Sequence, residues 1–385
     1  MTSESSPLDR LRRRRPLPAP ARAVLVVVAL YAFLVGVSLL ESGIGAMGAG
    51  FEEGLLASVR NPVAGVFAGV LFTVLVQSSS VSTSAVVGLV GAGTVPVSLA
   101  VPMIMGANIG TTVTNTLASL GSIRRTEEFR RGFAAATVHD FFNVMAVVVL
   151  LPLELLTGWL TRAAVWLTSR LRGTEVDLEP GASPIRDAVR LPVGWVTELL
   201  DGDPIGGRLA GILFLVLGLA LIFLALAAIT KNMRTLVADS VERAMNRIVG
   251  RGGGAVGILV GILITFAVQS STITTSILVP LVAAGILTLP NAYPITLGAN
   301  VGTTITALLA SLAVIHPEGL TIALVHTLFN VTALALLFPV RAVRLFPVRA
   351  AEWLADVAVE RRSIVAVYVA GLFLVVPVAG MLLLR

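Results

Sequence analysis

No cysteine occurs in the 385 residues of this chain. Disulfides, thiolate metal sites and thiol nucleophiles are therefore excluded. Charge is also scarce, at 13% Asp, Glu, Lys and Arg against 56% hydrophobic residues. Soluble domains carry roughly 25% charged residues, so the composition is that of a polytopic membrane protein. The scarcity is uneven. Asn61 to Ile123 contains no charged residue and no histidine, and neither does Gly252 to Ile315. The net charge of +6 sits mainly in Arg12 to Arg15 and in short loops, where it reports membrane orientation and not a nucleic-acid partner.

Several apolar runs reach the roughly 20 residues that a spanning helix needs. The basic N-terminus followed by apolar Ala23–Leu40 has the outline of a signal peptide. The length of the run and the lack of a small-residue cleavage site before Glu41 make it a retained first helix with a cytoplasmic N-terminus. Gly43–Arg60, with Glu52 and Glu53, reads as an interfacial or loop segment.

Inside the uncharged blocks lies a duplicated polar pattern. Gln77-Ser78-Ser79-Ser80 returns 192 positions later (269 − 77) as Gln269-Ser270-Ser271-Thr272. Gly106-Ala107-Asn108-Ile109-Gly110-Thr111-Thr112 returns at the same offset as Gly298-Ala299-Asn300-Val301-Gly302-Thr303-Thr304. An apolar run of about 15 residues lies on each side of each Gln-Ser-Ser, short for a full span. Paired short segments around a polar break predict a re-entrant helical hairpin, and the Gly-rich motif predicts a broken helix lining a cavity. Spans at Gly132–Leu156 and Leu320–Val340 follow, with His139, Asp140 and Asn143 echoed by His326, Thr327 and Asn330.

The fold expected is thus an all-α polytopic membrane protein with two repeats. Their loops differ in sign: Arg124, Arg125, Arg130 and Arg131 follow the first Gly-Ala-Asn segment, whereas His316, Pro317 and Glu318 follow the second. Positive-inside then makes the repeats inverted in topology. The expected organisation is a disordered basic cytoplasmic tail (1–20), repeat 1 (21–156), an external, slightly acidic connecting loop (157–206) and repeat 2 (207–345). An amphipathic cytoplasmic segment with a final membrane helix closes the chain (346–385).

Buried hydroxyls and amides cost several kcal/mol each in a bilayer unless satisfied. Ser and Thr can donate to an anion's oxygens, and a helix starting at the break adds free N–H groups. Hard cations take the oxygens of Ser, Thr, Asn and freed carbonyls. With no Lys or Arg in either block, a multivalent anion held there needs helix N-termini and co-bound cations as countercharge. The plainer alternative for any single Ser or Thr is back-bonding to a helix carbonyl. His139 and His326 are open to a proton-relay role or to simple carbonyl bonding. Asp140, opposite Thr327 in the other repeat, is either an extra cation ligand present in one half only or a partner of Arg130 or Arg131. Glu154 reads as interfacial.

At these residues the chain resembles the type II sodium-dependent phosphate cotransporter family, over roughly Pro62 to Leu156 and Gly253 to Pro339. The resemblance rests on the paired Gln-Ser-Ser-Ser/Thr and Gly-Ala-Asn-x-Gly-Thr-Thr segments and on Ala134-Ala135-Ala136-Thr137-Val138-His139-Asp140. It implies a sodium-coupled symporter importing inorganic phosphate by alternating access across the plasma membrane. It implies a phosphate site at Gln77, Ser78, Ser79, Ser80, Gln269, Ser270, Ser271 and Thr272. Sodium ligands are then expected among Asn108, Thr111, Thr112, Asp140, Asn143, Asn300, Thr303, Thr304 and Asn330. Electrogenic members of the family carry Ala, Ala and Asp at the positions of Ala134, Ala136 and Asp140, the Asp being tied to an additional sodium. Vertebrate members differ in the loop that here reads Ser122-Ile123-Arg124-Arg125, and their central-loop disulfide has no counterpart here. A carrier for another oxyanion and an intramembrane serine hydrolase are the competing readings. Membrane lipid, phosphate and sodium are the expected partners, with no nucleic acid and a homodimer as one option for the assembly.

Overall fold

A computed structural model describes residues 17–172, 184–201, 207–249 and 254–384. The described residues are nearly all helical and contain no strand. In chain order the elements are α1 (Ala19–Ala46), α2 (Ala49–Val59), α3 (Pro62–Val76), α4 (Ser79–Gly91), α5 (Val97–Gly110) and α6 (Val113–Ser119). Then come α7 (Thr126–Thr157), α8 (Trp159–Arg172), α9 (Pro184–Asp201), α10 (Gly207–Val249), α11 (Gly254–Val268) and α12 (Ser271–Ala283). The last are α13 (Leu289–Ser311), α14 (Glu318–Leu337), α15 (Arg341–Glu360), α16 (Ser363–Ala370) and α17 (Val376–Leu383). A π-turn, Gly371–Val375, joins α16 to α17.

This is a multi-pass membrane protein. Among the described residues six helical segments are long and apolar enough to cross a bilayer: Ala19–Ala46, Val97–Ser119, Thr126–Thr157, Leu209–Ala238, Glu318–Leu337 and Ser363–Leu383. A seventh results if Glu53–Val59 and Pro62–Val76, bent by 105°, count as one span.

Glycine sets how closely these helices approach. A Cβ on Gly36 would stand 2.9 Å from Ile222 N, and one on Gly43 would stand 2.7 Å from Leu215 N. The contact moves down α10 as it moves up α1, so these two helices pack antiparallel. In α3 and α5 the register rises together: Gly65 faces Pro102, Gly69 faces Met103 and Gly110 faces Thr73. The pair is therefore parallel, and α4, which connects them, must run back between them. The same parallel register holds for α11 and α13, where Gly257 faces Pro294 and Gly261 faces Ile295. The Thr265 and Thr274 hydroxyls meet at 2.7 Å, which only a chain reversal at Gln269-Ser270 allows. Each Gln-Ser-Ser thus lies at the tip of a helical hairpin.

The repeats interlock. Gly91 of α4 packs on Val314, near Gly319 of α14, and Gly132 of α7 packs on Ala283 and Val279 of α12. Each hairpin is therefore seated against a helix of the other repeat.

Three expectations need correction. The second Gly-Ala-Asn-x-Gly-Thr-Thr lies in α13, which is uninterrupted, and Thr111 and Thr112 between α5 and α6 keep right-handed helical dihedrals. Only the first repeat has an interruption, at Thr111-Thr112 with little change of direction in the backbone dihedrals, and the glycines of both motifs serve helix contact. A Cβ on Gly106 would fall 1.9 Å from Val66 O, and one on Gly298 would fall 2.0 Å from Ile258 O. The connecting segment, expected as a loop, is helical in its described part, with α8 and α9 each amphipathic. Gly43–Arg60 is likewise mostly helix, since α1 runs on to Ala46 and α2 follows. Glu154, near the end of α7, is buried against the protein and caps α8, accepting from Leu160 N at 2.7 Å and Thr161 N at 3.2 Å. The basic tail expected at residues 1–20 lies outside the described residues up to residue 16.

Candidate functional site

Each hairpin tip is built by a glutamine in a backbone conformation that favours glycine. Gln77 and Gln269 both have φ of 57°, and they are the only non-Gly residues with positive φ among those described. Such strain persists where surrounding bonds over-determine it. Here the side-chain amide does so. Gln77 Nε2 donates to Val74 O (2.5 Å) at the end of α3, where helix carbonyls have lost their own donors. Its Oε1 accepts from Thr114 Oγ1 at 2.8 Å. Gln269 repeats both bonds, to Phe266 O at 2.6 Å and from Thr306 Oγ1 at 2.9 Å.

The next residue starts the returning helix. Ser78 Oγ accepts from Val81 N (3.3 Å), and Ser270 Oγ from Ile273 N (3.4 Å), so each is an N-cap. The first N–H groups of α4 and α12 have no intrahelical acceptor. Ser79 and Ser80 are buried, as is Ser271, while Thr272 is half-buried. Among the described residues none of these four hydroxyls takes part in a hydrogen bond. Each tip therefore sets an electropositive helix N-terminus beside the electronegative C-terminus of its partner helix. Anion donors and cation-binding carbonyls are placed side by side.

Most other hydroxyls are spoken for. Ser82 and Ser84 bond back to Ser78 O and Ser80 O, Thr111 to Ala107 O, Thr112 to Ile109 O, Thr303 to Ala299 O and Thr304 to Val301 O. Their lone pairs stay available to a cation, but their protons do not reach an anion.

The asparagines do come together. His139 Nε2–H donates to Asn300 Oδ1 (2.5 Å), Asn300 Nδ2 to Asn143 Oδ1 (2.7 Å), and Asn143 Nδ2 to Asn108 O (2.7 Å). This buried chain links α7 to α5 and to α13 of the other repeat. Asn330 does not join it, bonding only to His326 O one turn back at 3.0 Å. Asn115, absent from the expected set, has both amide atoms tied to α12. Its Nδ2 donates to Thr275 Oγ1 (2.5 Å), and its Oδ1 accepts from Ser276 Oγ (2.9 Å). Its counterpart at the 192-residue offset is Ala307, so repeat comparison by motif passes over it.

Asp140 is 1% exposed, and it is not paired with either nearby arginine. Arg130 bonds to Asp356 on α15, and Arg131 donates to Ala283 O at 3.0 Å. The partner of Asp140 is Tyr368, whose hydroxyl donates to Oδ2 at 2.6 Å. Thr116 Oγ1 lies 3.5 Å from the same oxygen, while Oδ1 is buried with no partner.

Duplicated helical hairpins and tips of opposed helix ends define a polytopic helical membrane protein built on paired polar tips. A family model described as Na+/Pi-cotransporter matches residues 32–159 and 221–353, and the chain belongs to that family. It is 33% identical over 427 residues to the sodium-dependent phosphate transport protein 2A of Ovis aries, covering 92% of this chain and 66% of that protein. The Rattus norvegicus 2A protein is 33% identical, with 83% and 60% covered. The Homo sapiens 2B protein is 30% identical, with 92% and 64% covered. The chain thus spans just under two thirds of the length of these relatives. No solved structure matches it.

Proposed function

We propose that this protein is a sodium-coupled symporter that imports inorganic phosphate across the plasma membrane by alternating access. One observation carries the reading. Two hairpin tips present unused hydroxyls (Ser79, Ser80, Ser271, Thr272) and free helix N–H groups, in a region that holds no basic side chain. Phosphate would take those donors with the caps Ser78 and Ser270, and Gln77 and Gln269 would shape the tips. Countercharge must come from co-bound cations, which is a physical reason for sodium coupling. The names of the relatives point the same way.

In this reading sodium is held by oxygens of Asn108, Thr111, Thr112, Asn143, Asn300, Thr303, Thr304 and Asn330, and by Asp140 in the first repeat alone. The lone carboxylate makes transport electrogenic. The hairpins are re-entrant, and the two repeats are inverted. The antiparallel packing of the equivalent helices α1 and α10 supports that inversion. The N-terminal tail and α15 are then cytoplasmic, and the α8–α9 segment is external. Uptake of radiolabelled phosphate into proteoliposomes, with and without an inward sodium gradient, tests the proposal. Sodium-independent uptake overturns the coupling.

A carrier for another oxyanion would use the same donors, and competition by sulfate and arsenate separates the two. The serine-hydrolase alternative gains no support, because among the described residues no serine hydroxyl is hydrogen-bonded to a histidine.

A further inference from the structure

The last membrane helix lies outside both repeats, yet it reaches the most asymmetric point of the interior. Tyr368, on α16, is held among three rings, with centroids 6.3 Å from Phe133, 6.4 Å from Phe141 and 6.4 Å from Phe373. Its hydroxyl donates to Asp140 Oδ2 at 2.6 Å, a charge-assisted bond when the carboxylate is ionised. Thr116 is at 3.5 Å, the limit of a hydrogen bond, and the Thr112 hydroxyl, which donates to Ile109 O, also faces the carboxylate, so Tyr368 makes the shortest hydrogen bond described for Asp140. The other oxygen, Oδ1, is buried and unpartnered. In the second repeat the equivalent residue, Thr327, bonds only to Ala323 O of its own helix at 3.2 Å. The π-turn Gly371–Val375 begins three residues after Tyr368. Such turns shift a helix face by one residue and recur beside functional groups.

We propose that Tyr368 is a positioning residue for a cation site at Asp140: it holds Oδ2, so that Oδ1 is presented to the ion. The last helix thereby becomes part of the ion-coupling machinery. A carboxylate with both oxygens free can rotate about its terminal torsion, whereas one held by a phenol cannot, and orientation is what a bound cation needs from its ligand. The inference rests on the role given to Asp140 above.

The test uses the full chain in proteoliposomes. Tyr368→Phe keeps the ring and its three neighbours and removes only the hydroxyl. The expected result is an increase of about tenfold in the sodium concentration giving half-maximal phosphate uptake, the scale of a lost bond to a charged group. Maximal uptake per folded protein stays near that of the unsubstituted chain. In an Asp140→Asn background the same substitution produces no further shift. Phe373→Leu, which thins the ring packing and leaves the hydroxyl, keeps the original sodium dependence. Sodium-induced thermal stabilisation in detergent gives the same comparison where uptake is too slow to read.

An unchanged sodium dependence in Tyr368→Phe overturns the proposal, as does a shift that persists undiminished beside Asp140→Asn. If Asp140→Asn itself leaves sodium dependence intact, the role given to Asp140 falls and this inference falls with it. If only Tyr368→Phe is silent, that role survives without the tyrosine.

Discussion

Asn300 donates to Asn143 at 2.7 Å across the boundary between the two repeats, and His139 in turn donates to Asn300. These are buried amides whose bonds cannot be replaced by water. Asn300→Ala would strand both His139 Nε2 and Asn143 Oδ1. A loss of about 1–3 kcal/mol is expected for each buried group left unsatisfied. Asn330→Ala, which removes only a bond within one helix, should cost less. Thermal unfolding of the two variants in detergent checks the order, and an equal loss in both would contradict the cross-repeat chain.

Ser80→Ala and Thr272→Val remove hydroxyls that make no hydrogen bond among the described residues. Stability should therefore hold within about 0.5 kcal/mol, the range of substitutions away from structural features. Phosphate half-saturation should rise roughly tenfold or more, as for a lost bond to a charged ligand. Unfolding temperature and concentration-dependent uptake, read on the same samples, separate ligand contact from structure. Back-bonded Thr111 is the contrast: Thr111→Val should disturb the response to sodium more than the response to phosphate.

Gln77→Gly relieves a left-handed backbone that costs a residue with a Cβ about 1–2 kcal/mol. It also deletes the amide that joins Val74 O to Thr114. Stability is expected to change by less than about 1 kcal/mol in either direction, while uptake is lost. Full uptake by this variant would mean that the tip needs only the turn and not the side chain.

Gly106→Ala and Gly298→Ala place a methyl within 2.0 Å of the Val66 and Ile258 carbonyls, on the helices packed against them. Backbone cannot yield as a side-chain end can, so each should cost about 3 kcal/mol or more. A Cβ on Gly45 meets nothing within 4 Å, and Gly45→Ala should be silent. Yield of folded protein by size-exclusion chromatography distinguishes them.

Asp140→Asn should lower the charge moved per phosphate and leave some transport, because the hairpin tips are untouched. Current and radiolabel measured together give the ratio. An unchanged ratio would remove Asp140 from the coupling step.

Composition, the two uncharged blocks and the duplicated Gln-Ser-Ser were enough to place a helical membrane protein with paired polar tips. Such features are local, since apolar runs and an N-capping serine act within a few residues. In the second repeat the Gly-Ala-Asn-x-Gly-Thr-Thr motif does not break its helix, for a physical reason. Glycine in a helix weakens it and also admits a neighbour's backbone, and the neighbour (Val66, Ile258) is visible only in space. Nor does the motif comparison reach Asn115, whose partners Thr275 and Ser276 lie in the other repeat. Tyr368 is farther still, 228 positions beyond Asp140 and outside any repeat. Scarce charge and absent cysteine thus settle which environment the chain belongs to. Which helix closes on the buried carboxylate of Asp140 depends on long-range packing, which carries no local periodicity to read.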